Sequence, residues 1–216
     1  MSIPVLFEDR FLIVCEKPVG LSSEAEMCSR LEEQTASGRI FCVHRLDKAV
    51  RGVMVYARDG KTAAKLSEKI ASRSVTKECL AAVPGIPEEP GGILRDYLYH
   101  DAAKNKTYVV QRPRRGVKEA ELSYETAATA CAEGVGALSL LRITLHTGRS
   151  HQIRAQLASR KLPLLGDGRY GSAVRDCGIA LQSHRLAFVH PVTGQALDFS
   201  APLPESWPWT LFSAEE

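Results

Sequence analysis

The sequence contains no long apolar run. None of its hydrophobic stretches approaches the roughly 20 residues that a membrane-spanning helix needs, and the opening MSIPVLFEDR has neither the basic start nor the apolar core of a secretory leader. A soluble, cytoplasmic protein is expected. The six cysteines (15, 28, 42, 79, 131 and 177) include no pair at CxxC spacing, which argues against a zinc site or a disulfide framework and for thiols in a reducing compartment. Repeats and low-complexity tracts are absent, and the one stretch rich in Pro and Gly, residues 84–92, is too short to link independent domains. One compact domain over residues 1–216 follows, with a hydrophobic content of 44%, enough to build a core.

Charge of one sign is also scarce, the net charge being only +3. The balance is uneven along the chain. Residues 1–40 hold seven acidic side chains against four basic, whereas residues 44–83 hold nine basic against four acidic and residues 142–175 seven basic against one. If folding joins the two basic stretches, they form a concave positive surface for a polyanion, with Lys and Arg on phosphate giving salt-dependent affinity. On charge alone, a solvated cationic face is the plainer reading.

Hydrophobic periodicity predicts strands at Phe11–Cys15, Val53–Ala57, Leu80–Val83, Tyr108–Val110, Ala120–Glu125 and Leu138–Leu145. Ile179–Val189 and Ala196–Phe199 flank a turn at Pro191–Gly194. Helices are expected over Ser23–Gln34, from an Asp59 N-cap to Ser72, and from a Ser150 cap to about Ser159 with Ile153 and Leu157 as the buried face. Strands come in groups rather than alternating strictly with helices, which favours an α+β fold with a largely antiparallel sheet.

Two segments carry the chemistry. His44, Arg45, Leu46 and Asp47 set one carboxylate among cationic neighbours; Gly148, Arg149, Ser150, His151, Gln152, Ile153 and Arg154 set two arginines and a histidine where a helix is expected to begin. With LIVCEKPVGL (12–21), HRLDKAVRGVMVYAR (44–58), TKECLAAV (76–83), LLGDGRYG (164–171) and HRLAFVHPVTGQALDFSAPLP (184–204), they resemble the RluA family of RNA pseudouridine synthases over nearly the whole chain.

The resemblance implies the pseudouridine synthase fold, a mixed, largely antiparallel sheet in two lobes with a central cleft, and a catalytic domain alone, without the small amino-terminal RNA-binding domain of many relatives. It implies isomerisation of uridine to pseudouridine in ribosomal or transfer RNA, with Asp47 as nucleophile and Arg154 as its ionic partner. No metal or cofactor is called for, since a carboxylate can do this chemistry by itself. Structured RNA is the expected partner, with no membrane and no obligate protein partner, and a monomer is the simplest assembly.

For an arbitrary aspartate, a surface or capping role would be the default; the four matched residues and their flanks reverse it. Arg45 is expected to contact RNA phosphate or shape the loop. His44, Arg149, His151 and Gln152 divide evenly between backbone contacts and structural support. Leu145 and Ile153 are candidate walls of a base pocket, though such residues more often belong to the core.

The chain departs from the family pattern in two places. Where relatives carry a base-stacking tyrosine two residues after the third-motif lysine, Lys77 is followed by Glu78 and Cys79. A buried strand thiol is favoured there over a weak acid, and Tyr170 and Tyr108 are alternative aromatic surfaces. Val50 and Arg51 precede Gly52 where many relatives have Thr, Ser, Gly, which removes hydroxyls and adds a cation. Two rival readings remain: an RNA-binding protein impaired in catalysis and acting in RNA folding or ribosome assembly, and, more weakly, a glycosidase-like hydrolase, for which no second carboxylate accompanies Asp47.

Overall fold

The computed structural model describes residues 2–212. The chain forms two compact units, Met1–Glu78 with Gln182–Pro202, and Cys79–Leu181 with Leu203–Glu216. Each is dominated by β-strands, as the expected α+β class requires.

The first unit contains β1 (Val5–Glu8), β2 (Leu12–Lys17), α1 (Ala25–Gln34), β3 (Phe41–Cys42), β4 (Arg51–Ala57) and α2 (Gly60–Ala71). β1 pairs with β2 and β2 with β4, both antiparallel, and β3 adds to β4. β5 (Thr76–Pro84) then leads into the second unit, and the chain returns along β10 (Leu181–Val189) and β11 (Ala196–Ser200). β10 pairs parallel with β4 and antiparallel with β11, the hairpin foreseen around Pro191–Gly194. Two cores lie on this sheet: Leu12, Val14, Val53, Val55, Leu66 and Phe188 form one, and Ile13, Met27, Leu31, Met54 and Tyr56 the other. Alternation along β2 and β4 feeds both, and each fully buried aliphatic side chain contributes about 1.5–3 kcal/mol.

Of the two helices of this unit, α2 begins where its sequence directs. Asp59 accepts the amides of Lys61 and Thr62, each at 2.8 Å, which satisfies two donors that a helix start leaves orphaned. α1 starts at Ala25, two residues later than expected, because Ser22 and Glu26 close a reciprocal pair ahead of it: the Ser22 amide donates to the Glu26 carboxylate at 2.8 Å and the Glu26 amide to Ser22 Oγ at 3.0 Å.

In the second unit the order of strands is β5, β9 (Gly136–Leu145), β8 (Val117–Ala132), β6 (Gly91–Asp101) and β7 (Lys106–Val110). α3 (Gln152–Ala158) packs on β6 and β7. Two expectations fail here. The loop predicted over 84–92 ends at Pro90, and β6 extends an eleven-residue strand from glycines taken as loop punctuation. Gly91 is a strand residue because β8 lies so close: a Cβ there would stand 2.8 Å from the Tyr124 carbonyl. Ser150 does not cap α3. The capping position is His151, in the left-handed region at φ 52°, and it makes no side-chain cap. Gln152 Oε1 turns back from the helix and ties down the loop before it, taking the Arg149 amide at 3.0 Å and the Thr147 hydroxyl at 2.8 Å.

α3 is also not the amphipathic helix expected. Gln152 through Leu157 are all buried, and its polar side chains donate hydrogen bonds inside the protein, although Gln156 Oε1 is buried without a partner among the described residues. Gln156 donates to the Leu94 carbonyl and to Asp96, and Arg154 to Asp167.

Candidate active site

Asp47 sits in a loop between β3 and β4 that is held from beneath. Ser23 Oγ donates to the Leu46 carbonyl and accepts the Leu46 amide, both at 3.0 Å. The Val50 amide closes a turn onto the Asp47 carbonyl at 2.9 Å. Below lies Lys17, fully buried, whose ammonium donates to the carbonyls of Pro18 (2.9 Å), Leu21 (2.8 Å) and Lys48 (3.3 Å). Burial lowers the Lys17 pKa to about 8, and the charges of Asp47 and then Glu26 oppose that shift. A cation at neutral pH is thereby fixed under the loop that carries the candidate nucleophile.

The flanking motif residues divide. His44 turns its ring into the sheet, where Nε2 accepts the Val55 amide at 3.1 Å. Strand β3 has left β4 after pairing Cys42 with Tyr56, and the imidazole continues the ladder in place of the backbone. Burial, with a smaller effect from the charge of Lys77, lowers its pKa to about 3, so the ring is neutral and carries no charge for phosphate. Arg45 extends outward, 65% exposed and 3.9 Å from Glu24. Val50 is buried. Arg51, read from sequence as an added cation, is neutralised by an ion pair with Glu16 on β2.

In the second unit, Arg154 is nearly fully buried and forms a bidentate pair with buried Asp167, Nε to Oδ2 at 2.7 Å and Nη2 to Oδ1 at 2.9 Å. Its guanidinium lies 5.0 Å from the centre of the Tyr170 ring. A fork-to-fork pair backed by an aromatic plane fixes a guanidinium far more tightly than an exposed helix arginine could be fixed. Tyr170 is itself anchored: its oxygen accepts the Thr107 amide at 2.7 Å and lies 3.0 Å from His151 Nδ1. Burial raises the Tyr170 pKa.

The remaining candidates fall in this unit too. Gln152 is buried and closes the loop before α3, its amide donating to the Glu121 carbonyl at 3.1 Å. Arg149 is exposed and donates through Nε to the Glu119 carbonyl. Ile153 is buried, Leu145 half-buried at the end of β9, and Cys79 buried in β5. Among the described residues no cluster of His, Cys, Asp and Glu is arranged to hold a metal ion, and no helix is long and apolar enough to cross a membrane.

Residues 11–159 match the family model described as RNA pseudouridylate synthase. The chain belongs to this family. The match takes in both the HRLD and GRSHQIR segments, and the protein is a pseudouridine synthase, an isomerase. Among curated relatives, the chain is 32% identical to ribosomal large subunit pseudouridine synthase D of Xanthomonas campestris over 95% of its own length and 67% of the relative's. It is 31% identical to the protein of the same name from Nitrosomonas europaea, spanning 63% of that relative, and 28% identical to tRNA pseudouridine synthase C of Haemophilus ducreyi, spanning 93% of it. Two human solved structures share the fold: RNA pseudouridylate synthase domain containing 1 (TM-score 0.78, 18% identity, covering 93% of this chain and 83% of that one) and domain containing 4 (TM-score 0.75, 22% identity, covering 94% and 89%).

For this synthase, sequence reasoning passed over two residues that brace the motifs. Lys17 and Asp167 both lie in quoted family segments but received no role. The signals were a lysine closing an apolar strand run just before Pro-Val-Gly, and an acid between two glycines in LLGDGRYG, both unusual places for a solvated charge.

Proposed function

We propose that the chain converts uridine to pseudouridine in structured ribosomal or transfer RNA, with Asp47 as the nucleophile and Arg154 as the cation that keeps a nucleophilic carboxylate ionised and oriented. The reaction breaks the bond between ribose and base nitrogen, turns the base, and joins ribose to a base carbon. Attack on the sugar and attack on the base both need an ionised carboxylate. The observation that carries this reading is the bracing of both motif segments: a loop strapped by Ser23 over buried Lys17, and a guanidinium clamped by Asp167. Buried, paired charges of this kind are costly to assemble, and a solvated surface loop has no need of them. The target base must leave its stack to be reached, and Arg45 and Arg149, both exposed, are assigned to phosphate. His44 and Gln152 serve the loops that carry these groups. The chain is taken as a single catalytic module working as a monomer in the cytoplasm, without cofactor.

Purified protein is incubated with transfer and ribosomal RNA lacking pseudouridine, and modified positions are mapped chemically. Wild type is expected to convert specific uridines, and Asp47→Asn to bind the same RNA at least as tightly while converting none. Conversion by Asp47→Asn at more than about a hundredth of the wild-type rate would remove the nucleophile assignment.

A further inference from the structure

The most densely basic stretch of the chain lies in neither motif segment. Residues 101–118, the turn after β6, strand β7 and the loop to β8, hold six basic side chains (Lys104, Lys106, Arg112, Arg114, Arg115, Lys118) and one acidic, Asp101. All six basic residues except half-buried Lys106 are exposed. Lys104 reaches Asp101 at 3.9 Å; among the described residues no ion pair joins Arg112, Arg114, Arg115 or Lys118. By strand register Lys118 pairs with Leu98 and lies on the opposite face from the tyrosines of β6, while exposed Glu119 pairs with Tyr97 and stands beside them; the local excess of positive charge therefore rests on the exposed loop arginines Arg112, Arg114 and Arg115.

The same hairpin presents aromatic rings. Tyr97 and Tyr99 are two apart on β6, and Tyr99 pairs directly with Tyr108 of β7, so all three project from one face of the sheet. The other face holds Leu98, Val109 and Ala120 against Ala155 of α3. Three of the six tyrosines of the protein thus stand on the face that does not carry this core, and Tyr108 is 36% exposed. Cations already lie on these rings: the Arg114 guanidinium is 5.2 Å from the Tyr99 centroid and the Lys106 ammonium 5.6 Å from that of Tyr108. The turn between the strands is pinned, with Arg169 donating to the carbonyls of Lys104 (3.1 Å) and Asn105 (2.6 Å).

We propose that this hairpin face is a second RNA contact, a stacking platform for single-stranded RNA outside the reacting uridine. Tyrosine rings interleaved with Lys and Arg on a rigid sheet supply the two interactions that unpaired RNA offers, base faces and phosphates. The planar guanidinium over Tyr99 extends the stack for a further base. Duplex RNA keeps its bases stacked on one another and can use only the charges. The inference needs the chain to meet RNA but not Asp47 to be the nucleophile.

The test uses the full chain, fluorescence anisotropy, and two labelled probes, a 12-nucleotide oligouridine and a 12-base-pair RNA duplex. The Tyr99→Leu/Tyr108→Leu pair is expected to weaken oligouridine binding at least tenfold, since stacking on one ring alone contributes about 1–3 kcal/mol, or 5- to 150-fold. Tyr99→Phe/Tyr108→Phe keeps the rings and should stay within twofold. Arg112→Gln/Arg114→Gln/Arg115→Gln, all at exposed loop positions where loss of fold is not at issue, should reduce the slope of log affinity against log salt by about 2, at roughly 0.7 per phosphate contact. Unchanged binding by the Leu pair or by the Arg triple overturns the proposal, as does an equal loss by the Leu pair on the duplex. A chain that binds oligouridine through these residues yet forms no pseudouridine would sink the catalytic assignment and leave the platform standing. Normal conversion with unaltered binding in the variants would do the reverse.

Discussion

At His44 the imidazole Nε2 accepts the Val55 amide 3.1 Å away, a role that only the neutral ring can play. Its pKa is held near 3 by burial and, less strongly, by Lys77, against an unfolded value of about 6.5. The folded value is the lower one, so the unfolded chain binds the extra proton as pH falls. The stability contributed is therefore complete above about pH 6.5 and is lost progressively toward pH 3. At pH 5 the loss reaches up to about 2 kcal/mol. His44→Gln keeps an acceptor for the Val55 amide without a titrating group. Urea unfolding at pH 7.5 and pH 5.0 should show the gap between wild type and variant narrowing by about that amount, and a gap that stays constant would show that the ring does not titrate with folding. The motif's histidine was legible in sequence as a residue of consequence, but not as a piece of the sheet. That role depends on β3 ending at Cys42, which no local pattern announces.

Among the elements, β4 is the one on which the candidate nucleophile depends most directly, since the Asp47 loop ends where it begins. Gly52, its second residue, has φ +126°, and a Cβ there would stand 2.1 Å from the Ser183 carbonyl of β10. A side chain is excluded both by backbone conformation and by the parallel pairing of the two strands. Gly52→Ala is expected to cost about 3 kcal/mol or more from these two sources, a fall of roughly 6–12 °C in Tm for a chain of this size, with conversion of uridine falling as the loop loses its base. A thermal melt followed by circular dichroism decides it, and a shift under about 2 °C would mean that β10 yields easily. Sequence made the elements with strong local signals readable: Asp59 caps α2 as its position suggests, and the branched run Val53–Ala57 lies within β4. It failed where a tertiary contact overrode the local signal. Gly91 read as loop because its role is to let β8 approach, and Ser150 read as a cap although the chain enters α3 through His151 in the left-handed region with no side-chain cap.

For the molecule as a whole, a net charge of +3 conceals strong segregation. Residues 44–83, 101–118 and 142–175 all carry a large basic excess, so the rest of the chain is net acidic. Proteins of low net charge that bind nucleic acid do so through such local fields, and salt then acts on affinity far more than the total charge suggests. With six phosphate contacts at about 0.7 released counterions each, affinity for a single-stranded target should fall with a log-log slope near −4, or roughly 300-fold between 50 and 200 mM salt. Titrations of wild type at four salt concentrations measure the slope directly. A slope shallower than about −2 would mean that the basic blocks are solvated rather than seated on phosphate, and recognition would then have to rest on stacking and shape. Reversing one charge in each block separately, at Arg45, Arg114 and Arg149, should flatten the slope in every case if all three blocks touch the same RNA. A block whose reversal leaves the slope alone lies off the path of the nucleic acid.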